Sequence, residues 1–205
     1  LGFMADTRVG SMDAALAAIR EETYNIVERS TLASTYTPAD APPREQPLAL
    51  NDITFIRGAQ ARLISLDIRV NDECLTTCAA DGVIFATATG STAHSMSAGG
   101  PILFPTTEAV VMTPICPHTL SLRPIILPAG FTIDVRLALP RREVLVAVDG
   151  RVTERLARDA VLSLRVGEQR VSFIHSTKPS FVHVLREKLH LRGDLRVTCP
   201  PGETD

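Results

Sequence analysis

Short strand-like runs of apolar and β-branched residues recur along most of this chain. Polar-apolar alternation is clearest at 62–70 (RLISLDIRV) and also marks 22–36, and further strand-like runs stand at 50–56, 109–115, 122–127, 131–138, 144–149, 161–166 and 170–175. Period-two alternation puts successive side chains on opposite faces of a strand, one buried and one wet. Val83-Ile84-Phe85 lacks the alternation and reads as a strand buried on both faces. Asn71-Asp72, Pro128-Ala129-Gly130 and Asp149-Gly150 punctuate the runs as turns. Many short strands joined by close turns predict a mainly β, multi-stranded, sandwich-like domain.

Four segments depart from that pattern. Residues 11–20 (SMDAALAAIR) carry Met12, Leu16 and Ile19 at helical spacing behind a possible Ser11 cap, which predicts a short N-terminal helix. A loop-helix is expected at about 90–98, after Gly90. A C-terminal helix is expected over 180–189, where Phe181, Val184, Leu185 and Leu189 form one stripe. The four prolines of 37–47 rule out helix or central strand there and predict a surface connector.

Composition narrows the function. The chain has 205 residues, 45% hydrophobic and 21% charged, with 21 basic against 23 acidic side chains. A net charge of −2 gives no electrostatic reason to expect nucleic acid or an anionic membrane as partner. No apolar run approaches the ~20 residues of a membrane span. The start shows no basic region followed by a long apolar stretch, so an intracellular, cytoplasmic setting is expected. Cys74, Cys78, Cys116 and Cys199 lack zinc spacing and read as free thiols, and no metal site is expected from side chains here.

The chemistry-bearing candidate is ATATGSTAHSMSAGGP at 86–101. It holds no Asp, Glu, Lys or Arg, is rich in hydroxyls and glycine, and follows a buried strand. Such a loop suits a neutral polar group or an anion, because backbone N–H groups and hydroxyls supply the contacts. It lacks the Lys-Ser/Thr pair of a P-loop. The residues equally allow a strand-to-helix turn whose hydroxyls cap the backbone. Asn51-Asp52 is a pair that can grip vicinal hydroxyls, although Asn-Asp also serves turns, as do Asp81-Gly82 and Asp149-Gly150. Ser97, with Asp149 and His175 or His183 following in chain order, is a near miss to a hydrolase nucleophile. The elbow needs a strand leading straight into the serine, and Ser97 instead falls inside the expected helix.

Taken together these residues resemble the NAD kinase family. Leu1-Gly2-Phe3 resembles the end of the family's N-terminal nucleotide domain. Glu22-Thr23-Tyr24 through Glu28-Arg29 resembles the first strand of its C-terminal domain, and Asn51-Asp52 its Asn-Glu/Asp motif. The 86–101 loop resembles the family's Thr-Pro-Thr-Gly-Ser-Thr-Ala-Tyr stretch with its following Gly-Gly-Pro. Residues 113–128 (TPICPHTLSLRPIILP) and Asp149-Gly150 complete the likeness.

The resemblance implies phosphoryl transfer from ATP, with a divalent metal such as Mg²⁺, to the 2′-hydroxyl of the adenosine ribose of NAD, giving NADP. It implies that Asn51 and Asp52 hold the adenosine and its ribose hydroxyls. Thr92, Ala93, His94 and Ser97 would line the adenine pocket, with Ile115 as an apolar wall. Asp81 would contact the nicotinamide amide across a subunit boundary of a homo-oligomer, and Asp149 would lie near the phosphate-accepting region. It divides the chain into 1–20, a remnant of the N-terminal domain with its connecting helix; 21–178, the β-rich NAD-binding domain; and 179–205, a helix and tail returning to the N-terminal domain.

Three positions depart from the family pattern: His94 replaces Tyr, Ala88 replaces Pro, and Ala79 stands where many members carry Arg. The family's Gly-Gly-Asp-Gly motif, whose Asp is its presumed base, does not occur in these residues. The catalytic base is therefore expected upstream of Leu1, and the chain by itself is expected to be inactive. A non-catalytic nucleotide-binding relative and a related lipid or sphingoid-base kinase are the rival readings.

Overall fold

The computed structural model describes residues 12–59, 63–139, 143–175 and 180–190. Twelve strands and three helices follow in chain order. They are α1 (Met12–Arg20), β1 (Asn25–Thr37), β2 (Arg44–Glu45), β3 (Asp52–Arg57), β4 (Ile64–Val70), β5 (Glu73–Ala80), β6 (Gly82–Ala86), α2 (His94–Ser97), β7 (Ala109–Ile115), β8 (Ile125–Pro128), β9 (Ile133–Leu137), β10 (Val144–Val148), β11 (Arg151–Leu156), β12 (Val161–His175) and α3 (Phe181–Lys188). The strands form two six-stranded sheets, ordered β2-β1-β12-β9-β4-β5 and β11-β10-β3-β6-β7-β8. The mainly β, sandwich-like class expected from the alternation is what the chain forms.

The core lies between the sheets. From the first sheet come Leu32, Ile64, Leu66, Ile68, Ile133, Val135, Leu162 and Leu164; from the second come Ile53, Phe55, Val83, Phe85, Val110, Met112, Val144 and Val146. The scarcity of aromatics leaves aliphatic residues to fill this space, with one edge-to-face pair, Phe55 and Phe85, at 5.8 Å between ring centroids. Because every second residue of β3, β6, β7 and β10 points into the core, the residues between them must point the other way. In β6 and β7 those residues are Ile84, Ala86, Ala109 and Val111. They are buried as well, in a second apolar cluster with Ala88 and Leu103 of the following segment. The 87–104 stretch thus covers the outer face of β6 and β7. The outer face of β3, β10 and β11 is left for the site described below.

Two hairpin turns use left-handed backbone at residues chosen for it. Asn71 and Asp72 (φ 47° and 66°) join β4 to β5, and Asp149 and Gly150 (φ 46° and 79°) join β10 to β11. Positive φ at both central positions matches the strand twist and favours Asn, Asp and Gly.

Several expectations need correction. β5 and β11 were not anticipated. The expected strands 161–166 and 170–175 are one continuous strand, β12, running through Gly167-Glu168-Gln169. The strand expected from 22 begins at Asn25, with Glu22 in a left-handed turn. The helix expected over 91–98 is a 3₁₀ turn at Gly90–Thr92 followed by the single turn α2. The proline-rich connector contributes the two-residue edge strand β2, consistent with its exclusion from a central position. Arg44 of β2 pairs with Glu154 of β11 through two 2.8 Å hydrogen bonds, and its guanidinium lies 4.6 Å from the centre of the Tyr36 ring.

Chain compactness separates residues 26–174 from a second unit made of the two ends. In that second unit α1 has no buried residue, and Met12, Leu16 and Ile19 are about half exposed. The Ser180 hydroxyl caps α3 by accepting from the His183 N–H at 3.2 Å. Phe181, Val184, Leu185 and Leu189 are the partly buried positions there. Cys74, Cys78 and Cys116 are free thiols; burial pushes Cys78 up to about 11. Leu1-Gly2-Phe3, Ser11 and Cys199 lie outside the described residues.

Candidate functional site

The site is built around Leu50-Asn51-Asp52, where the chain enters β3. Every backbone polar group of these three residues is hydrogen-bonded. The carboxylate of Asp149 accepts from the amides of Leu50 (2.8 Å, Oδ2), Asn51 (2.7 Å, Oδ1) and Asp52 (3.0 Å, Oδ1). The Asp149 N–H donates back to the Asp52 carbonyl at 3.0 Å. From the other side the Thr87 hydroxyl donates to the Leu50 carbonyl at 2.7 Å, and the Thr87 N–H donates to the Asn51 carbonyl at 2.9 Å. A segment with all six backbone groups engaged has few alternative conformations to visit.

Alternation in β3 then decides what faces outward. Ile53 and Phe55 enter the core, so Asp52, Thr54 and Ile56 point to the outer face. With Asn51, Ala93, His94, Ala147, Asp149, Gly150 and Val152 they line an open cavity of roughly 270 Å³. One end is polar, around Asn51, Asp52 and His94. The other is apolar, around Ile56, Ala147 and Val152. That mixture of an apolar body and a few fixed polar groups is the usual make-up of a small-molecule site.

The surroundings of Asp52 shift its titration. Burial raises its carboxyl above the ordinary carboxylate value. The Thr54 hydroxyl, which donates to it at 2.9 Å, and the nearby His94 act in the opposite sense, and the charge of Asp149 adds to the rise.

The 87–104 segment holds its shape through its own hydroxyls. Thr87 Oγ1 accepts from the Gly90 N–H at 3.0 Å. Ser91 Oγ donates to the Ala88 carbonyl at 2.6 Å and accepts from the Leu103 N–H at 3.0 Å. Ser95 and Thr113 share a buried 2.8 Å hydrogen bond. The structural reading that the sequence left open therefore holds for part of the loop. Thr87, Ser91 and Ser95 are spent on the backbone and on β7, while Ala93 and His94 face the cavity.

The other expected site residues stand as follows. Asn51, Asp52, Ala93, His94 and Asp149 share the cavity. Thr92 adjoins it but donates its hydroxyl to the Thr89 carbonyl at 3.0 Å. Ser97 is exposed at the end of α2, outside the lining. Ile115 and Asp81 lie outside the lining, at the Gly82 end of β6: Ile115 pairs with Gly82, as does the lining residue Ile56 from the other side. There the Asp81 N–H donates to the Ile115 carbonyl at 3.0 Å, and the Asp81 carboxylate lies 3.7 Å from Arg57. Sequence reasoning did not single out Thr54, Ile56, Thr87, Ala147 or Val152. The parity of β3 and β10 could have found the lining members; nothing local marks Thr87.

Fold and site together define a β-sandwich domain with an adjacent Asn-Asp pair set beneath a glycine- and hydroxyl-rich cover. Residues 50–176 match the family model described as the ATP-NAD kinase C-terminal domain. The chain is 34% identical over 189 residues to an NAD kinase of Sulfurimonas denitrificans, covering 92% of this chain and 65% of that protein. It is 37% identical over 189 residues to one of Geobacter metallireducens, covering 92% and 66%. These matches span just under two-thirds of the relatives' length. Among solved structures, yeast NADH kinase complexed with NADH superposes with a TM-score of 0.87 at 31% identity, covering 97% of this chain and 58% of that one. An NAD kinase from Archaeoglobus fulgidus in complex with ATP shares the fold, with a TM-score of 0.74 at 22% identity over 94% of this chain and 71% of that one. The chain belongs to the NAD kinase family and carries its C-terminal domain.

Proposed function

We propose that the protein to which this chain belongs is an ATP-dependent NAD kinase, and that the cavity at Asn51, Asp52 and His94 receives the adenosine half of NAD. The observation that carries this is the fully engaged backbone of residues 50–52, which presents an amide and a carboxylate side by side at the polar end of a part-apolar cavity. Asn51 and Asp52 accept the vicinal ribose hydroxyls. In the ionised form a carboxylate is acceptor-only, which suits O–H donors and not a phosphate. His94 and Ala93 flank the adenine, with Thr92 and Ser97 behind them. Ile115, whose side chain shares the space over Gly82 with the lining residue Ile56, is an apolar wall, and Asp81 contacts the nicotinamide amide across a subunit boundary of a homo-oligomer.

Holding the ribose in one orientation is the part of phosphoryl transfer that this domain supplies, because an in-line attack depends on where the acceptor oxygen stands. The base that takes the 2′-hydroxyl proton comes from outside these residues, so the chain alone binds and does not turn over. Among the described residues no three His, Cys, Asp or Glu side chains gather to hold a metal. The divalent cation that the resemblance implies has no such cluster among the described residues.

The test is a coupled assay on the full-length protein with ATP and NAD, followed by mass spectrometry of the product. Formation of NADP is the expected result. Phosphorylation of a lipid with indifference to NAD would select the lipid-kinase reading. Nucleotide binding without turnover would select a non-catalytic relative.

A further inference from the structure

The carboxylate of Asp149 is already occupied. Of its roughly four acceptor positions, three are taken by successive amides from a segment 97 to 99 residues upstream. Its backbone is left-handed, and Asn serves that conformation in a hairpin at least as well as Asp. Turn formation alone therefore does not account for a carboxylate at this position. Asn51 and Asp52, in contrast, have only their side chains left to offer. We infer that Asp149 is a positioning residue: it acts on the bound nucleotide through the backbone of Leu50-Asn51-Asp52, with Thr87 as its counterpart on the carbonyl side, and not as a base or a phosphate contact. This rests on the NAD kinase reading for the identity of the ligand, but the brace itself is a property of the chain.

Asp149→Asn is the discriminating change. It keeps the turn and one carbonyl acceptor, and it sets an NH₂ group against an amide that needs an acceptor. Calorimetry on the full-length protein with NAD is expected to show binding weakened about tenfold. KM for NAD rises, while KM for ATP stays within about twofold. Residues linked through one network do not act independently. In an Asp52→Asn background the same change is therefore expected to cost about threefold or less. Amide hydrogen exchange at Leu50, Asn51 and Asp52 is expected to accelerate, with the β4 and β9 amides unchanged.

An unaltered Kd, or a full tenfold effect repeated in the Asp52→Asn background, would overturn the inference. So would a fall in kcat with KM for NAD unchanged, since that marks a group acting on the reacting atoms. Thr87→Val is the second variant. It should weaken NAD binding in the same way, with Thr87→Ser restoring it. If the unaltered protein bound no NAD, the NAD reading would fail, and the brace would be judged by exchange alone: unchanged protection of residues 50–52 in Asp149→Asn would overturn it.

Discussion

Gly90 and Asn51 meet backbone to backbone: a Cβ at position 90 would stand 2.0 Å from the Asn51 carbonyl oxygen. The covering loop is thus seated directly on the residue that presents the site. The φ of Gly90 is not in the left-handed region, so the requirement for glycine here is one of space.

Gly90→Ala must push the loop off β3 or displace Asn51. Overpacking against backbone costs on the order of 1–3 kcal/mol or more. The expected outcome is a lower urea midpoint together with loss of NAD binding. A variant of unchanged stability and affinity would show that the loop seats elsewhere.

Ser91 is fully buried and ties both ends of the cover, donating to Ala88 and accepting from Leu103. Ser91→Ala leaves the Leu103 N–H buried without an acceptor, at a cost of about 1–3 kcal/mol. Chemical denaturation reads this directly. A change below about 0.5 kcal/mol would mean that another group takes over.

Acidification tests Asp52. Burial raises its carboxyl in the folded state, and the ionised form is the one that accepts ribose hydroxyls. NAD affinity should therefore fall as pH drops through that raised value, earlier than an ordinary carboxylate would dictate. The stability sign is the reverse. The protonated form suits the buried position, so its contribution is present at low pH and is lost as pH rises through the folded value. Asp52→Asn is expected to raise the melting midpoint at pH 7 while weakening NAD binding, with no acid-range dependence of affinity left. A pH-affinity curve identical to that of the unaltered protein would contradict the assignment.

His94 tests the base-facing side of the cavity. His94→Tyr offers a larger ring and should tighten NAD binding at pH 8 by up to ~1 kcal/mol, about fivefold. No change would place the ring away from the adenine.

The sequence carried the sandwich because β4 alternates cleanly and β3, β7 and β10 are short apolar runs bounded by turn residues. It failed at β5 and β11, which are outermost in their sheets. An edge strand is free to carry charge, as Glu73, Arg151, Glu154 and Arg155 do, and so loses the periodicity that marks a buried one. Gly167 lies between the two runs expected at 161–166 and 170–175, and in the fold it is the point where Thr31 comes close enough that a Cβ would meet its hydroxyl. Asn51, Asp52 and the covering loop were legible through their chemistry and the family likeness. The brace from Asp149 was not, because the amides it holds are nearly a hundred residues away in the chain.

The most direct test is a crystal structure of the full-length protein with NAD. The ribose hydroxyls of the adenosine half are expected within hydrogen-bond distance of the Asn51 and Asp52 side chains, with the adenine beside Ala93 and His94 and the Asp149 carboxylate still on the amides of residues 50–52. A nucleotide bound elsewhere, or one that contacts the Asp149 carboxylate while the Asn51 and Asp52 side chains stay unengaged, would contradict the account.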